Sequence, residues 1–393
     1  MTSTPIKSFD TITNPAVIAP NNFKFKSLSD WSYNIAMGCR HGCSFCYVPS
    51  TATIKQETNL EKVPGLIPQQ WIDERLAGKH WGDSHWGEFT FVRSWDEKDF
   101  RASLRRAVKA KNEGKLTPDG NAAIMLCTTT DPYQALGGPN AAILRELLKN
   151  VVRNALEIIL EESDLNVRIL TRSPAAERDF DLFRRFAEQH RILFGMSLPT
   201  FDRSLSEIYE PNAPRPEAKF QTLQNAVQEG IPVYVAMAPT LPDEGEAELR
   251  ETISRIMSLN PVTLFHEPIN LRAENLSRIE AKAHSLGRSI RSDVFRSRER
   301  WREYAFEQFA LVDKICNELG VPEGVLHQWP DEDLASKNGF LKMKKAISER
   351  ELGPDSFTKD AQAKANKEWE LVYEPWINYW HNPDERISAW PRP

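Results

Sequence analysis

Short runs of apolar and β-branched residues alternate along this chain with longer stretches whose apolar positions recur every three or four residues. The short runs, at residues 31–37, 88–92, 122–127, 166–170, 192–198, 231–238 and 262–266, have the length and the bounding turn residues of buried strands. The longer stretches, at residues 98–114, 141–162, 177–189, 216–229 and 244–258, each carry one apolar face and predict amphipathic helices. Alternation of this kind predicts parallel βαβ units, and right-handed crossovers curl about six of them into a barrel or part of one. In such barrels chemistry sits at the carboxyl ends of the strands. Polar segments fall at those ends, including Thr128-Thr-Thr-Asp-Pro-Tyr-Gln134 and Thr171-Arg-Ser-Pro174. Residues 1–30, interrupted by Pro5, Pro15 and Pro20, read as an irregular leader. Residues 48–87 hold Trp71, Trp81 and Trp86 without clear periodicity and read as an insertion. The alternation stops near residue 270. A long amphipathic helix follows at 299–319, with Trp301, Tyr304, Phe309, Val312 and Ile315 on one face. The predicted organisation is a leader (1–30), an α/β barrel unit (31–270, with the insertion) and an α-helical, aromatic-rich C-terminal extension (271–393).

Three of the five cysteines stand within the stretch Tyr33-Asn-Ile-Ala-Met-Gly-Cys-Arg-His-Gly-Cys-Ser-Phe-Cys-Tyr47, spaced C-x3-C-x2-C as Cys39, Cys43 and Cys46. Three thiolates this close can hold three irons of a cubane cluster. With no fourth cysteine nearby, one iron stays open to a chelating ligand. A zinc site wants four N or S ligands in paired spacings and would have to recruit His41 or a distant side chain. A disulfide framework belongs to small, cysteine-rich secreted chains. Three inert buried thiols remain as the plain alternative, although Gly38 and Gly42 suggest a backbone folded tightly around something.

Composition narrows the setting without changing the picture. With 40% hydrophobic and 27% charged residues, the chain reads as a soluble globular protein. No run approaches the ~20 apolar residues of a membrane span. The polar, proline-containing N-terminal stretch does not read as a secretory signal. Free thiols then point to the cytoplasm and to no membrane partner. A net charge of −5 gives no general pull toward nucleic acid, though a local basic groove can override it.

The cysteine spacing, with Phe45 just before the last cysteine, resembles that of the radical S-adenosylmethionine (radical SAM) superfamily. The segments Thr128-Thr-Thr-Asp-Pro-Tyr-Gln, Leu170-Thr-Arg-Ser-Pro, Gly195-Met-Ser-Leu-Pro-Thr, Glu210-Pro-Asn-Ala-Pro-Arg-Pro and Gly230-Ile-Pro-Val look like those of members related to spore photoproduct lyase, over roughly residues 31–270. The resemblance implies a partial (β/α)6 TIM-like barrel carrying a 4Fe-4S cluster on Cys39, Cys43 and Cys46. It implies S-adenosyl-L-methionine chelated to the open iron and an enzyme that reduces SAM to methionine and a 5'-deoxyadenosyl radical. It further implies a one-electron donor such as flavodoxin or ferredoxin, with Phe45 and the backbone around Tyr47 placed to meet the adenine.

Several residues carry two readings each. Asp131 is a candidate partner for the SAM ammonium, or a turn residue before proline. Arg172 is a candidate for the SAM carboxylate, or a member of an internal ion pair. Ser197 is a candidate for the ribose hydroxyls or the carboxylate, or a strand-end serine satisfied by backbone. Glu267 and Asn270 stand at the last predicted strand tip. In spore photoproduct lyase a cysteine at the place of Cys127 donates a hydrogen atom to a product radical, and the plain reading of Cys127 is a small buried hydrophobe. Cys316 reads as core. The basic face of the helix at 98–114 and the run of Arg288, Arg291, Arg296 and Arg298 read as solvated surface or phosphate contacts. Trp369, Trp376, Trp380 and Trp390, with Tyr373 and Tyr379, read as a packed tail or a stacking lid. Three functions follow: a radical SAM enzyme acting on a small molecule or peptide, a DNA-lesion (photoproduct) lyase, or a non-catalytic Fe-S carrier.

Overall fold

The computed structural model describes residues 8–21, 28–51, 57–137, 140–270, 272 and 274–391. Among them run eleven strands: β1 (Ser8–Ile12), β2 (Ile18–Pro20), β3 (Trp31–Tyr33), β4 (Ala36–Met37), β5 (Phe89–Arg93), β6 (Ala123–Leu126), β7 (Asn166–Thr171), β8 (Ile192–Ser197), β9 (Val233–Thr240), β10 (Thr263–Pro268) and β11 (Leu326–Gln328). Two compact units result. The first takes the described residues up to Tyr234 together with those between Leu271 and Gly287, and the second takes Val235–Asn270 and Arg288–Trp390. Strand β9 begins in the first and ends in the second.

In the first unit the order is β2-β3-β6-β7-β8, with β3, β6, β7 and β8 parallel. Every residue of β6 and β8 is buried, as expected of strands covered on both faces. Helix Ala141–Glu162 joins β6 to β7 and helix Phe180–Ala187 follows β7. Phe180 and Phe183 pack on Phe194 of β8 with ring centroids 5.6 and 5.5 Å apart. The register pairs Arg168 with Leu193 and Leu170 with Gly195, so Gly195 and, two residues on, Ser197 share the face opposite Phe194. A Cβ on Gly195 would meet the Tyr234 ring at 2.2 Å, so this strand passes Tyr234 only as glycine.

Two expectations about the N-terminal third are corrected. The leader is not irregular: β1 pairs parallel to β5 and β2 antiparallel to β3. Pro15 falls between these strands and Pro20 ends β2, positions where a missing N–H removes little from a ladder. The single strand expected at 31–37 is two, β3 in the large sheet and β4 in a separate sheet ordered β1-β5-β4, so the run at 88–92 also lies outside the barrel strands. Asn34 makes the break. Its Oδ1 accepts from the backbone of Thr128 and Thr129 at 2.9 and 3.0 Å, which ties the turn to the end of β6.

The second unit holds the rest of β9, β10 and β11, the last two parallel, and the helix Arg298–Glu318, which buries Trp301, Tyr304, Phe309, Val312 and Ile315 as its periodicity predicts. The aromatic tail packs on it: Trp376 meets Phe309 at 5.0 Å and Tyr373 meets Phe306 at 4.6 Å. Trp369, Trp380 and Trp390 are buried, so they are packing residues rather than an open stacking platform. Cys316 is buried as well. Arg291 donates to the Pro242 carbonyl and Asp243, and Arg298 lies 3.6 Å from Asp333. No helix among the described residues is long and apolar enough to cross a membrane.

Candidate active site

The cysteine loop leaves β4 through Gly38 (φ +84°) and turns again at Gly42 (φ +55°), in the left-handed region that favours glycine. A Cβ would strike the Phe89 carbonyl at 2.5 Å from Gly38 and the Gly87 Cα at 2.9 Å from Gly42. Gly42 N donates to Cys39 O and Cys46 N to Cys43 O at 3.2 and 3.1 Å, so each pair of cysteines spans a tight turn. Outside contacts fix the loop's backbone. Ser44 N donates to Tyr209 O at 2.9 Å and Asn212 N to His41 O at 3.2 Å. Arg278 donates through Nη2 to Cys46 O at 2.8 Å and through Nε to Ser44 O at 3.2 Å, and its guanidinium pairs with Asp83.

The insertion supplies the wall beside the loop. Trp71 stacks on His85 (4.3 Å) and on Trp81 (5.8 Å), and Trp81 meets Phe89 edge-on at 5.2 Å. Cys39 and Cys46 pack against this aromatic core. Cys43 is buried and the other two are part-buried. Burial pushes the Cys43 thiol up to about 12 and raises Cys39 and Cys46; the neighbouring thiols add to the rise at Cys39, and Cys46 adds to it at Cys43. The Arg172 guanidinium opposes this at Cys43 and Cys46, as does Arg278 at Cys46.

Asp131, at the β6 end, is buried and saturated. Oδ1 accepts from Thr171 Oγ1 (2.7 Å) and Tyr133 N (2.8 Å), and Oδ2 from Arg172 N (2.8 Å), with His41 Nε2 at 3.1 Å. Burial alone would raise its carboxyl, but His41 and these donors hold it below the ordinary value. These contacts tie the ends of β6 and β7 to the cysteine loop. Arg172 forms the internal ion pair that was one of its two readings. Nε pairs with Glu210 at 2.6 Å, and the other Glu210 oxygen holds Lys219 at 2.5 Å. The terminal nitrogens of Arg172 have no hydrogen-bond partner among the described residues, and its guanidinium lies 5.6 Å from the Phe45 ring centroid. Ser197 is 1% exposed and its hydroxyl has no partner among the described residues. Tyr47 is exposed and donates to Thr128 O at 3.1 Å. Glu267 and Asn270 lie in the second unit, where Asn270 Nδ2 donates to Asp331 at 3.0 Å and reaches Glu267 at 3.4 Å.

Cys127 is buried directly after β6. Burial raises its thiol far above the ordinary range; the Ile35 backbone and Arg93 oppose this, and Asp131 adds to it. Burial thus favours the protonated thiol.

Three features fit an iron-sulfur cluster with one open iron. The thiols lie within electrostatic reach of one another, arginine charge stands against the thiolates they would become, and an orphaned buried hydroxyl at Ser197 awaits a polar partner. Among the described residues no three His, Cys, Asp or Glu side chains gather as for a single metal ion, whereas a cubane bonds each thiolate through a different iron. Glu210 stood in the sequence only as the first residue of a family-like motif and Lys219 only as a position of the helix predicted at 216–229, neither with a role. Arg278 and Asp83 carried no signal, because they reach the loop from 232 and 37 positions away in the chain, between Arg278 and Cys46 and between Asp83 and Cys46 respectively.

Comparison with known proteins agrees with this geometry. A model of the radical SAM superfamily matches residues 33–256. The chain is 25% identical over 280 residues to the protein ORF301 of Acidianus two-tailed virus, covering 68% of this chain and 79% of that one. It is 24% identical over 243 residues to MJ0683 of Methanocaldococcus jannaschii, covering 61% and 70%. Among solved structures, two spore photoproduct lyase variants share the fold. One has a TM-score of 0.52 at 15% identity, covering 79% of each chain, and the other 0.51 at 14% identity, covering 81% of this chain and 80% of that one. The fold is thus α/β, a TIM-like partial barrel, and the superfamily implies an enzyme that uses an iron-sulfur cluster and SAM. This chain belongs to the radical SAM superfamily.

Proposed function

We propose that Cys39, Cys43 and Cys46 hold a 4Fe-4S cluster whose open iron takes SAM, and that the resulting 5'-deoxyadenosyl radical abstracts a hydrogen atom from a substrate at the strand tips. When bound, the cluster supplies one electron for cleavage of the S–C5' bond. The rest is the work of this chain's residues. Arg172, held in place by Glu210, offers its free terminal nitrogens to the SAM carboxylate. Phe45 and Tyr47 border the adenine, and Ser197 offers its buried hydroxyl to the ribose or carboxylate. Asp131 is a positioning group that fixes His41 of the cysteine loop, the Thr171 hydroxyl and the Arg172 backbone in one cluster. Arg278 locks the backbone of the last cysteine, and the tryptophans of the insertion keep water from the loop.

Cys127 is proposed as a hydrogen-atom donor: its S–H bond breaks homolytically, the hydrogen passes to a carbon-centred product radical, and a thiyl remains. The intact thiol on the same rim as Asp131 carries this step. It also favours a second reading, a lesion lyase acting on nucleic acid, over a non-catalytic Fe-S carrier, which has no use for an open iron. The reductant is a one-electron donor such as flavodoxin or ferredoxin, in a reducing, cytoplasmic setting. The single observation behind the proposal is the three thiols gathered on one tightly turned loop, two of them within reach of the Arg172 charge. Anaerobic reconstitution with iron and sulfide tests it: about four irons per chain are expected, and Cys43→Ala should hold far fewer. Equal iron in both proteins would remove the assignment.

A further inference from the structure

Several cations near the site are held in ion pairs among the described residues. Arg172 and Lys219 share Glu210, and Arg278 pairs with Asp83. Arg93, the last residue of β5, is part-buried, and its guanidinium has no ion pair or hydrogen bond among the described residues. Its position is nonetheless fixed. Arg93 N donates to Ile35 O at 2.9 Å, the neighbouring Asn34 accepts through Oδ1 from Thr128 N at 2.9 Å, and Thr128 follows Cys127 directly, so these bonds bring the end of β5 beside Cys127; the guanidinium charge acts on that thiol. A part-buried cation with five unused donors is costly to keep unless something pairs with it. A planar fork of donors matches the two oxygens of a phosphate or carboxylate.

We propose that Arg93 docks an oxyanion of the substrate, a phosphate or a carboxylate, beside Cys127. The inference rests on the reading of Cys127 as the residue that faces the substrate radical, and it names the group that holds that substrate in place. An anion on Arg93 sets the reacting carbon at a fixed distance from the thiol, which is the requirement for hydrogen transfer. It also gives an acidic protein a local means of holding an acidic substrate.

The test titrates the reconstituted full-length protein calorimetrically with inorganic phosphate, with a dinucleoside monophosphate, with glutarate and with SAM. Arg93→Gln and Arg93→Lys are compared with wild type, and Arg105→Gln, an exposed helix residue, is the control. Wild type and Arg105→Gln should bind at least one oxyanion alike, Arg93→Gln at least tenfold more weakly, and Arg93→Lys in between. A phosphate preference points to a nucleotide substrate and a glutarate preference to a carboxylate. The inference is overturned if no oxyanion binds wild type, if Arg93→Gln binds as wild type does, or if it loses SAM in the same proportion as the oxyanions. Should Arg93→Gln fail to load iron, Arg93→Lys alone carries the comparison. Formation of 5'-deoxyadenosine by the same wild-type preparation separates the two claims. Cleavage of SAM without oxyanion binding overturns only the role of Arg93, and Arg93-dependent binding without SAM cleavage overturns only the enzymatic reading.

Discussion

A thiol gives up a hydrogen atom only while it carries one, and burial keeps Cys127 protonated. The cysteines proposed as ligands must instead bind as thiolates, against the same burial, and bonding to iron would drive that change. Iron content therefore distinguishes the two kinds: Cys127→Ala should retain wild-type iron after reconstitution, and loss of iron in that variant would contradict the donor role. Gly195 is as specific in another way. With a Cβ 2.2 Å from the Tyr234 ring, Gly195→Ala should cost about 1–3 kcal/mol by overpacking, seen as a lowered thermal midpoint; an unchanged midpoint would mean the ring yields freely. In the second unit His266 is buried with Nε2 3.1 Å from Thr240 Oγ1, and burial pulls its pKa down to about 3. An unfolded histidine protonates near 6.5, so the stability carried by neutral His266 is full above that value and drains as pH falls toward 3. Between pH 6.5 and 5 the wild type should lose about 2 kcal/mol more than His266→Asn, measured by urea unfolding; equal losses would place the acid sensitivity elsewhere.

Among elements, the insertion contributes most beyond what periodicity predicts. Residues 48–87 showed no regular pattern because their short helices, such as Gln69–Leu76 and Trp81–Ser84, are held by aromatic contacts rather than by a repeating apolar stripe. Trp71 is fully buried at their centre. Trp71→Ala should cost about 3–5 kcal/mol and loosen the wall behind Cys39 and Cys46, giving faster iron loss to a chelator; stable iron would show that the loop stands without its wall. The parallel strands and long helices were legible because burial on one or two faces writes a period into the sequence. The leader strands were not, since short strands beside prolines resemble loop. The site was legible in the same uneven way. Cys39, Cys43 and Cys46 announce themselves by spacing, but the saturation of Asp131 and the clamp from Arg278 depend on contacts that cross the fold, and an arginine such as Arg93 looks like any other until its lack of a partner among the described residues is seen.

For the whole molecule, the chemistry gathers in the first unit, where cysteine loop, Asp131, Arg172, Ser197 and Cys127 all belong, while the tryptophans of the C-terminal extension are spent on packing the second. The central proposal for the molecule is that a cluster on Cys39, Cys43 and Cys46 binds SAM for reductive cleavage. Anaerobic reconstitution followed by SAM and dithionite tests it most directly. The wild type should yield 5'-deoxyadenosine and Cys43→Ala none. An intact cluster in the wild type that yields no 5'-deoxyadenosine would contradict it.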